Sequence, residues 1–329
     1  MSLASGVGSH PGDDQRDFDE AVRIVLGEVP DLAYLPEVPG RGAHADMVGR
    51  TAGLLSGLAA DLQPAGWRLT DATGVDQRRA RSLLAQDLDR WEEETQGYRG
   101  PMKLQVTGPW TLAATMERPR GDRLLADHGA RREVAESLAE GLTEHVADVR
   151  RRVPGAEILV QLDEPALPAV LAGAVPTASG FSRHRSVDAP KAAPALETVL
   201  EAVRAAGAEP VVHCCAPDAP LDLLARVGAP GLSLDLDQLT AEQYDDVADA
   251  LEQGRRVLLG VVPSTRPATP PTDRSVTERA LRFLDLLGGI EPTDRLVLTP
   301  ACGLAGADPD WVREALGLVR KAARHLTEG

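Results

Sequence analysis

Aromatic and lysine residues are scarce in this chain. Of its 329 residues, only ten are Phe, Trp or Tyr, and only three are lysine, namely Lys103, Lys191 and Lys321. So few rings argue against platforms on which nucleic-acid bases stack. Acidic side chains outnumber basic ones by 50 to 35, so the formal net charge of −15 lacks the basic excess typical of nucleic-acid binding. We therefore expect no nucleic-acid partner.

Long apolar runs are also missing. No segment approaches the roughly 18 apolar residues of a membrane span, and the first residues, MSLASGVGSHPGDD, lack the basic start and apolar run of a signal peptide. The three cysteines, Cys214, Cys215 and Cys302, are an odd count and do not form a disulfide framework. These features predict a cytoplasmic protein with no membrane partner, in which clustered Cys and His favour metal binding or catalysis.

The chain alternates between short apolar runs and longer amphipathic stretches from residue 103 onward. Near-continuous apolar runs are typical of strands buried on both faces of a parallel sheet. The predicted strands are Lys103–Thr107, Glu157–Leu162, Pro210–His213, Gly231–Leu234, Arg256–Val262 and Leu296–Thr299. Helices are predicted near 76–98, 126–152, 190–207, 219–227, 240–253, 273–288 and 309–326.

Two further strands, near Leu3–Val7 and after Gly40, would bring the total to eight. Eight strand–helix units predict an α/β fold of the (β/α)8 TIM-barrel type, with one domain over residues 1–329 and an irregular amino-terminal segment. An open, doubly wound sheet is the alternative fold.

Residues with reactive side chains stand where the predicted strands end. His213 and Cys215 are two residues apart, so they point to the same side of their strand, and Cys302 follows the last strand. Asp235 ends the neighbouring strand, and Asp237, two residues further on, would point to the same side of that strand. Two thiolates, an imidazole and a carboxylate favour zinc over magnesium or calcium. We therefore predict a zinc site of His213, Cys215, Cys302 and Asp235, with Asp237 as the substitute carboxylate.

These cysteines have two other interpretations. Free cysteine is often simply buried in a core, and Cys214, which points to the other side of the strand, fits that description. A Cys–His nucleophile pair is also conceivable, but a third thiol and an acid at the same edge of the sheet favour a metal.

The motifs at the strand ends resemble the catalytic barrel of the cobalamin-independent methionine synthase family. The segment Gln161–Leu167 matches the family motif Gln-x-Asp-Glu-Pro-Ala-Leu, and His213 and Cys215 match its His-x-Cys pair. Cys302 matches the cysteine of Pro-x-Cys-Gly-Leu. The resemblance runs from Val7 to Leu304, and the short, single-barrel members of the family are the closer comparison.

The resemblance implies a zinc-dependent S-methyltransferase that methylates homocysteine to methionine through a zinc-bound thiolate. Asp163 matches the residue that binds the homocysteine amino group, and Val7, Gly8 and Ser9 match the segment that holds its carboxylate end. The family's second amino-group ligand has no clear counterpart, and Glu37 is the candidate substitute. The homocysteine thiol and a methyl donor are therefore the expected small-molecule partners.

Asp235 stands where the family has Glu as its fourth zinc ligand, one methylene shorter, and three further positions depart from the family pattern. The family's proton-donating His falls on Thr265, and two of its folate-contacting residues fall on Thr115 and Ala169. No catalytic acid–base residue is therefore assigned. Because a methyl-corrinoid leaves without needing a proton, it is an alternative donor to methyltetrahydrofolate.

Three other functions remain open at this point. One is methyl transfer to a thiol other than homocysteine, and another is a zinc-binding protein without catalysis. A decarboxylase of the uroporphyrinogen type ranks last, because it would leave the three-cysteine arrangement without a role.

Overall fold

The computed structural model describes residues 3–328 and contains one large parallel sheet and one small hairpin. The strands are β1 (Leu3–Ala4), β2 (Ala33–Tyr34), β3 (Ala59–Gln63), β4 (Gly66–Thr70), β5 (Gly100–Thr107), β6 (Ala156–Asp163), β7 (Glu209–Cys214), β8 (Gly231–Asp235), β9 (Arg256–Val262) and β10 (Leu296–Pro300). The six strands predicted from residue 103 onward are confirmed, with small shifts at their ends.

Helices follow the strands of the large sheet. They are α1 (Gln15–Glu28), α2 (Met47–Leu54), α3 (Val75–Glu94), α4 (Pro109–Thr115), α5 (His128–Arg152), α6 (Leu167–Leu171), α7 (Ala189–Ala205), α8 (Leu221–Arg226), α9 (Gln243–Glu252), α10 (Asp273–Leu286) and α11 (Pro309–Glu328). The seven predicted helices are confirmed as α3, α5 and α7–α11. Within residues 3–328, no helix combines the length and the apolar character that crossing a membrane requires.

The large sheet has eight strands in the order β1-β10-β9-β8-β7-β6-β5-β2, and every paired ladder is parallel. Apart from the crossover to β1, sequence neighbours pair, as in a TIM-barrel-like fold. The sheet curls around a small apolar layer of Leu32, Leu159, Val211, Leu258 and Val297. No ladder joins β1 to β2 among the described residues, so the structure shows a curled sheet and not the expected closed barrel.

The two edges of this sheet nevertheless approach each other. The Ser5 hydroxyl donates to the Leu32 carbonyl at 2.9 Å, and an isolated parallel bridge joins Ser9 to Glu37. These contacts bring the loops after β1 and β2 to the same place.

The prediction of a strand after Gly40 is wrong. The second barrel strand, β2, precedes Gly40, which lies in a 3-10 turn over Pro39–Arg41. Proline at the start of that turn has no amide hydrogen for a ladder, and the chain passes from there into α2. Because β2 has only two residues, it has no periodicity that a sequence reading could detect.

A second feature was missed altogether. Strands β3 and β4 form an antiparallel hairpin from Ala59 to Thr70. The hairpin packs beside α2 and α3, outside the large sheet. Its turn residues, Pro64, Ala65 and Gly66, were the signal available in the sequence, and Gly66 takes a positive φ of 121° there.

Candidate metal and substrate site

A cavity of about 270 Å³ opens where the strands of the large sheet end. Its walls come from the loops after β1, β2, β6, β7 and β10, since the carboxyl ends of parallel strands meet at one face. The lining residues are Val7, Gly8, Ser9, Glu37, Pro39, Asp46, Met47, Asp163, Pro165, His213, Cys215, Cys302 and Gly303. The cavity thus contains all five predicted substrate residues and three of the four predicted metal ligands.

His213, Cys215 and Cys302 form a compact cluster at one side of this cavity. Their nearest ligand atoms all lie within 4.8 Å of one another, although Cys302 is 87 residues from Cys215. The two sulfur atoms are 2.8 Å apart. Alternation along β7 turns Cys214 away from this cluster and into the hydrophobic core. The parity argument therefore describes the positions of Cys214 and Cys215, and Cys302 comes to the cluster from the end of β10.

Neighbouring groups orient the His213 ring and polarise the two thiols. The ring atom Nδ1 lies 3.0 Å from the Ser233 hydroxyl and 3.2 Å from the Ser233 carbonyl, which leaves Nε2 available for a metal. The hydrogen bond from Cys215, and after it that from His213, lowers the pKa of the Cys302 thiol. The same sulfur–sulfur contact raises the pKa of Cys215. The two thiols are therefore coupled, and ionisation of one disfavours ionisation of the other.

Neither candidate carboxylate joins the cluster. Asp235 ends β8 with inward parity, but its carboxylate accepts a hydrogen bond from the backbone amide of Asp237 at 3.0 Å. Asp237 instead forms an ion pair with Arg279. Asp235 as the fourth ligand therefore stays a prediction. Thr265, the position of the missing proton donor, does not line the cavity.

Two buried carboxylates stand opposite the thiols. Asp163 accepts a hydrogen bond from the Gln161 amide at 2.7 Å, and Glu37 lies 3.4 Å from the Arg50 guanidinium. Burial raises the pKa of Glu37 to about 7, although Arg50 opposes this shift. Burial also raises the pKa of Asp163, against the effect of His213. A pair of desolvated acids is suited to binding a substrate ammonium group.

The segment from Val7 to Ser9 is held from below by buried side chains. The Lys103 ammonium donates to the Val7 carbonyl at 2.7 Å, and the Gln161 amide donates to the same oxygen at 3.0 Å. A Cβ atom at Gly8 would come within 2.7 Å of the Gln105 side chain. Gly8 is therefore needed for close packing as well as for its turn.

Lys103 is the functional residue that the sequence analysis missed. It is fully buried on β5, and burial lowers its pKa to about 7 against the opposing effects of Asp163 and Glu37. The available signal was a rare lysine at the start of the apolar run KLQVT, since lysine is almost never fully buried without partners.

Glu164, next to Asp163, is structural. Its carboxylate accepts hydrogen bonds from the backbone amides of Trp110 and Thr111, at 2.9 and 2.7 Å, and from the Thr111 hydroxyl at 2.8 Å. It thereby caps the first turn of α4 and does not line the cavity.

Comparison with known proteins agrees with this architecture. Residues 38–325 match the family model described as "Cobalamin-independent synthase, Catalytic domain". A B12-independent methionine synthase from Shewanella sp. W3-18-1, solved with selenomethionine, aligns with a TM-score of 0.63 and 15% identity, covering 100% of this chain and 98% of that one. A methylaspartate ammonia lyase from Clostridium tetanomorphum aligns at a TM-score of 0.47 and 14% identity, covering 100% of this chain and 59% of that one.

Comparison with curated proteins gives no match. Because the identity is only 15%, the similarity to the Shewanella structure supports the fold alone. The family model, by contrast, covers most of the chain. The chain therefore belongs to the cobalamin-independent methionine synthase family, as a member of its catalytic-domain group.

Proposed function

We propose that this protein is a zinc-dependent S-methyltransferase that converts homocysteine to methionine. The observation that carries the proposal is one cavity in which the cluster His213, Cys215 and Cys302 faces the buried acids Asp163 and Glu37. A thiol amino acid has a sulfur atom that matches the metal-ligand cluster and an ammonium group that matches the two buried acids.

The donor set fits zinc. Two thiols and one imidazole are nitrogen and sulfur ligands of the kind that bind Zn²⁺, and magnesium and calcium prefer oxygen. Asp235 is proposed as the fourth ligand, which requires its carboxylate to leave the Asp237 amide. Zinc bound there would supply Lewis acidity that lowers the pKa of the substrate thiol and favours its thiolate form.

The chain's own residues would bind and orient the amino acid. Asp163 and Glu37 accept hydrogen bonds from its ammonium group, and the backbone of Val7–Ser9 holds its carboxylate end. Lys103 and Gln161 fix the Val7 carbonyl and so hold this segment in place. The substrate thiol first loses its proton to water, and its sulfur then forms a bond to the methyl carbon as the bond from that carbon to the donor breaks. The electron pair stays on the donor, and a tetrahydrofolate leaving group takes up a proton from water.

Methyltetrahydrofolate is the proposed methyl donor, because the family uses it. A methyl-corrinoid is the alternative donor. It is supported by Thr265, which replaces the family's proton donor, and by Thr115 and Ala169, which replace two of its folate-contacting residues. We also propose that the curled sheet closes into a (β/α)8 barrel, supported by the contacts of Ser5 with Leu32 and of Ser9 with Glu37.

Methyl transfer by the zinc-loaded protein tests the proposal. Methyl transfer is measured from either methyltetrahydrofolate triglutamate or methylcobalamin, to homocysteine or to a comparison thiol such as cysteine, for the native protein, for Asp163→Asn and for Cys214→Ala. Cys214→Ala is the matched control, because Cys214 is buried away from the cavity. We expect turnover with the folate donor, a loss of about 100-fold in Asp163→Asn and little change in Cys214→Ala.

Each other result has a defined meaning. Turnover with methylcobalamin alone would replace the donor and keep the methyltransferase. Turnover with a different thiol alone would replace the acceptor. Bound zinc without methyl transfer from either donor to any thiol would contradict the proposed activity and favour a non-catalytic zinc protein.

A further inference from the structure

A second group of cavities lies on the same side of the sheet as the active site, but outside it. Two adjoining cavities, of about 260 and 510 Å³, share His128, Arg131 and Lys191 in their walls. These residues lie in the first turns of α5 and α7, which follow β5 and β6, so both cavities are at the carboxyl ends of the strands.

The walls of these cavities are strongly basic. The cationic and titratable lining residues are Arg131, Arg132, Arg183, Arg185, Lys191, His128 and His184, against a single lining acid, Glu136. Two of these cations are already paired, Lys191 with Asp188 at 2.8 Å and Arg132 with Glu136 at 3.7 Å, which leaves the charge of Arg131, Arg183 and Arg185. That composition is the reverse of the chain as a whole, whose net charge is −15. The overall composition of this acidic chain therefore does not account for the local excess of positive charge.

Three of the guanidinium groups are not held in a close ion pair. Within residues 3–328, the side chains of Arg131, Arg183 and Arg185 form no ion pair within 4.0 Å and no hydrogen bond, and Arg131 has only the more distant Asp127 carboxylate as an opposite charge. Arg131 is half-buried, its Nε atom is buried without a hydrogen-bond partner, and its guanidinium lies 5.9 Å from the centre of the Trp110 ring. A buried donor without an acceptor is costly, and a bound anion would satisfy it.

His184 adds a buried imidazole to the same wall. Its side chain is only 7% exposed, and its Nε2 atom lies 3.3 Å from the Asp122 carboxylate. The amino-terminal ends of α5 and α7 add positive potential at the same place. Arginine binds carboxylates and phosphates through paired hydrogen bonds, so these cavities have the donors and the concave shape for a small anion with several charged groups.

We propose that the cavities around Arg131, Arg183 and Arg185 bind a small polyanion that carries two or more phosphate or carboxylate groups. The site is separate from the zinc and amino-acid cavity and does not depend on the proposed methyl transfer. Cavities of this size suit a molecule of metabolite size.

Isothermal titration calorimetry at low ionic strength tests this site, with inorganic pyrophosphate and citrate as the two probes. The test variant is Arg183→Gln/Arg185→Gln, because both side chains are exposed and unpaired and the fold does not need them. The charge-matched control is Arg274→Gln/Arg282→Gln on α10, remote from these cavities. We expect saturable binding that weakens at least about tenfold in the test variant and is unchanged in the control.

The two probes separate the possible ligands. Binding of pyrophosphate alone indicates a phosphate compound, binding of citrate alone indicates a polycarboxylate, and either supports the site. No saturable binding of either probe would overturn the proposal, as would an equal loss of binding in the control variant, which would show a general effect of net charge. Zinc content is measured in parallel and should be the same in all variants, so failure here is distinct from failure of the proposed function.

Discussion

The ammonium group of Lys103 donates a hydrogen bond to the carbonyl oxygen of Val7, across 2.7 Å and 96 positions of sequence. This bond joins strand β5 to the backbone that forms one wall of the substrate cavity. Lys103 is also buried and interacts electrostatically with Glu37 and Asp163. It therefore both positions the Val7 backbone and places a positive charge beside the two acids of the amino-acid site.

Replacement of Lys103 should therefore weaken substrate binding more than it weakens the fold. In Lys103→Met, the Val7 carbonyl keeps only the Gln161 amide as a donor, and the buried charge is gone. We expect the KM for homocysteine to rise about tenfold, while circular dichroism shows an unchanged fold. Lys321→Met, on the exposed side of α11, is the control, and an unchanged KM in Lys103→Met would contradict the positioning role.

Glu37 should reduce the stability of the free protein near neutral pH. Burial raises the pKa of Glu37 from 4.5 in the unfolded chain to about 7 in the folded protein. Between these pH values the folded state binds one more proton than the unfolded state. The free energy of unfolding therefore falls as the pH rises from 4.5 through 7. In Glu37→Gln this dependence disappears. The stability of the variant relative to the native protein should rise by up to about 3 kcal/mol between pH 4.5 and 7.5.

Urea denaturation at several pH values measures this difference, and homocysteine binding at pH 7.5 should weaken in the same variant. Such a result would show an acid kept at a cost in stability for its role in binding. A stability difference that does not change with pH would contradict the assignment of a desolvated carboxyl group to Glu37.

Gly108 is required by the capping carboxylate of Glu164. A Cβ atom at Gly108 would overlap that carboxylate, whose three hydrogen bonds hold the start of α4. We expect Gly108→Ala to lower the free energy of unfolding by about 2–3 kcal/mol. The control is Gly27→Ala in α1, where a Cβ meets nothing within 4 Å and should raise stability by about 0.5–1 kcal/mol.

Denaturation curves of the two glycine variants give both values directly. If Gly108→Ala is as stable as the native protein, the Glu164 carboxylate does not hold α4 in the way described here.

Ser233 orients the imidazole of His213 and should affect zinc affinity without touching the metal. The Ser233 hydroxyl lies 3.0 Å from Nδ1 of that ring, and loss of such a partner reduces metal affinity by about tenfold or more. Competition with a chromophoric chelator measures the affinity in Ser233→Ala. Ser137→Ala is the control, because that hydroxyl binds the Ser56 carbonyl away from the site; equal zinc affinity in both variants would remove the role of Ser233.

The sequence could predict the elements that have periodicity and length. Strands such as Arg256–Val262 are apolar throughout because both faces are buried, and the two-residue spacing of His213 and Cys215 places them on one face of β7. Strand β2 could not be found in this way, because two residues define no period and the surrounding prolines indicate a loop.

The convergence of distant residues was also beyond the sequence. Glu37 lies in a proline-rich loop just after β2 and Lys103 on β5, and the pairing of these two strands brings the two charges together beneath the cavity. The sequence does not reveal that pairing, because β2 is too short to be recognised. The direction of the Asp235 carboxylate depends on the local turn over Leu236–Gln238, whose backbone amide competes with a metal for the same oxygen atoms. Strand parity predicts on which side Asp235 stands, but not its hydrogen-bond partner.

Zinc content tests the central claim most directly. The metal bound per chain is measured by atomic absorption in protein prepared without chelator, for the native chain, Cys302→Ser and the control Cys214→Ala, and zinc X-ray absorption is recorded before and after homocysteine is added. The account predicts about one zinc in the native and control proteins, loss of zinc in Cys302→Ser, and an additional sulfur ligand on adding homocysteine. A native protein without zinc, or one whose zinc spectrum does not respond to the thiol, would contradict it.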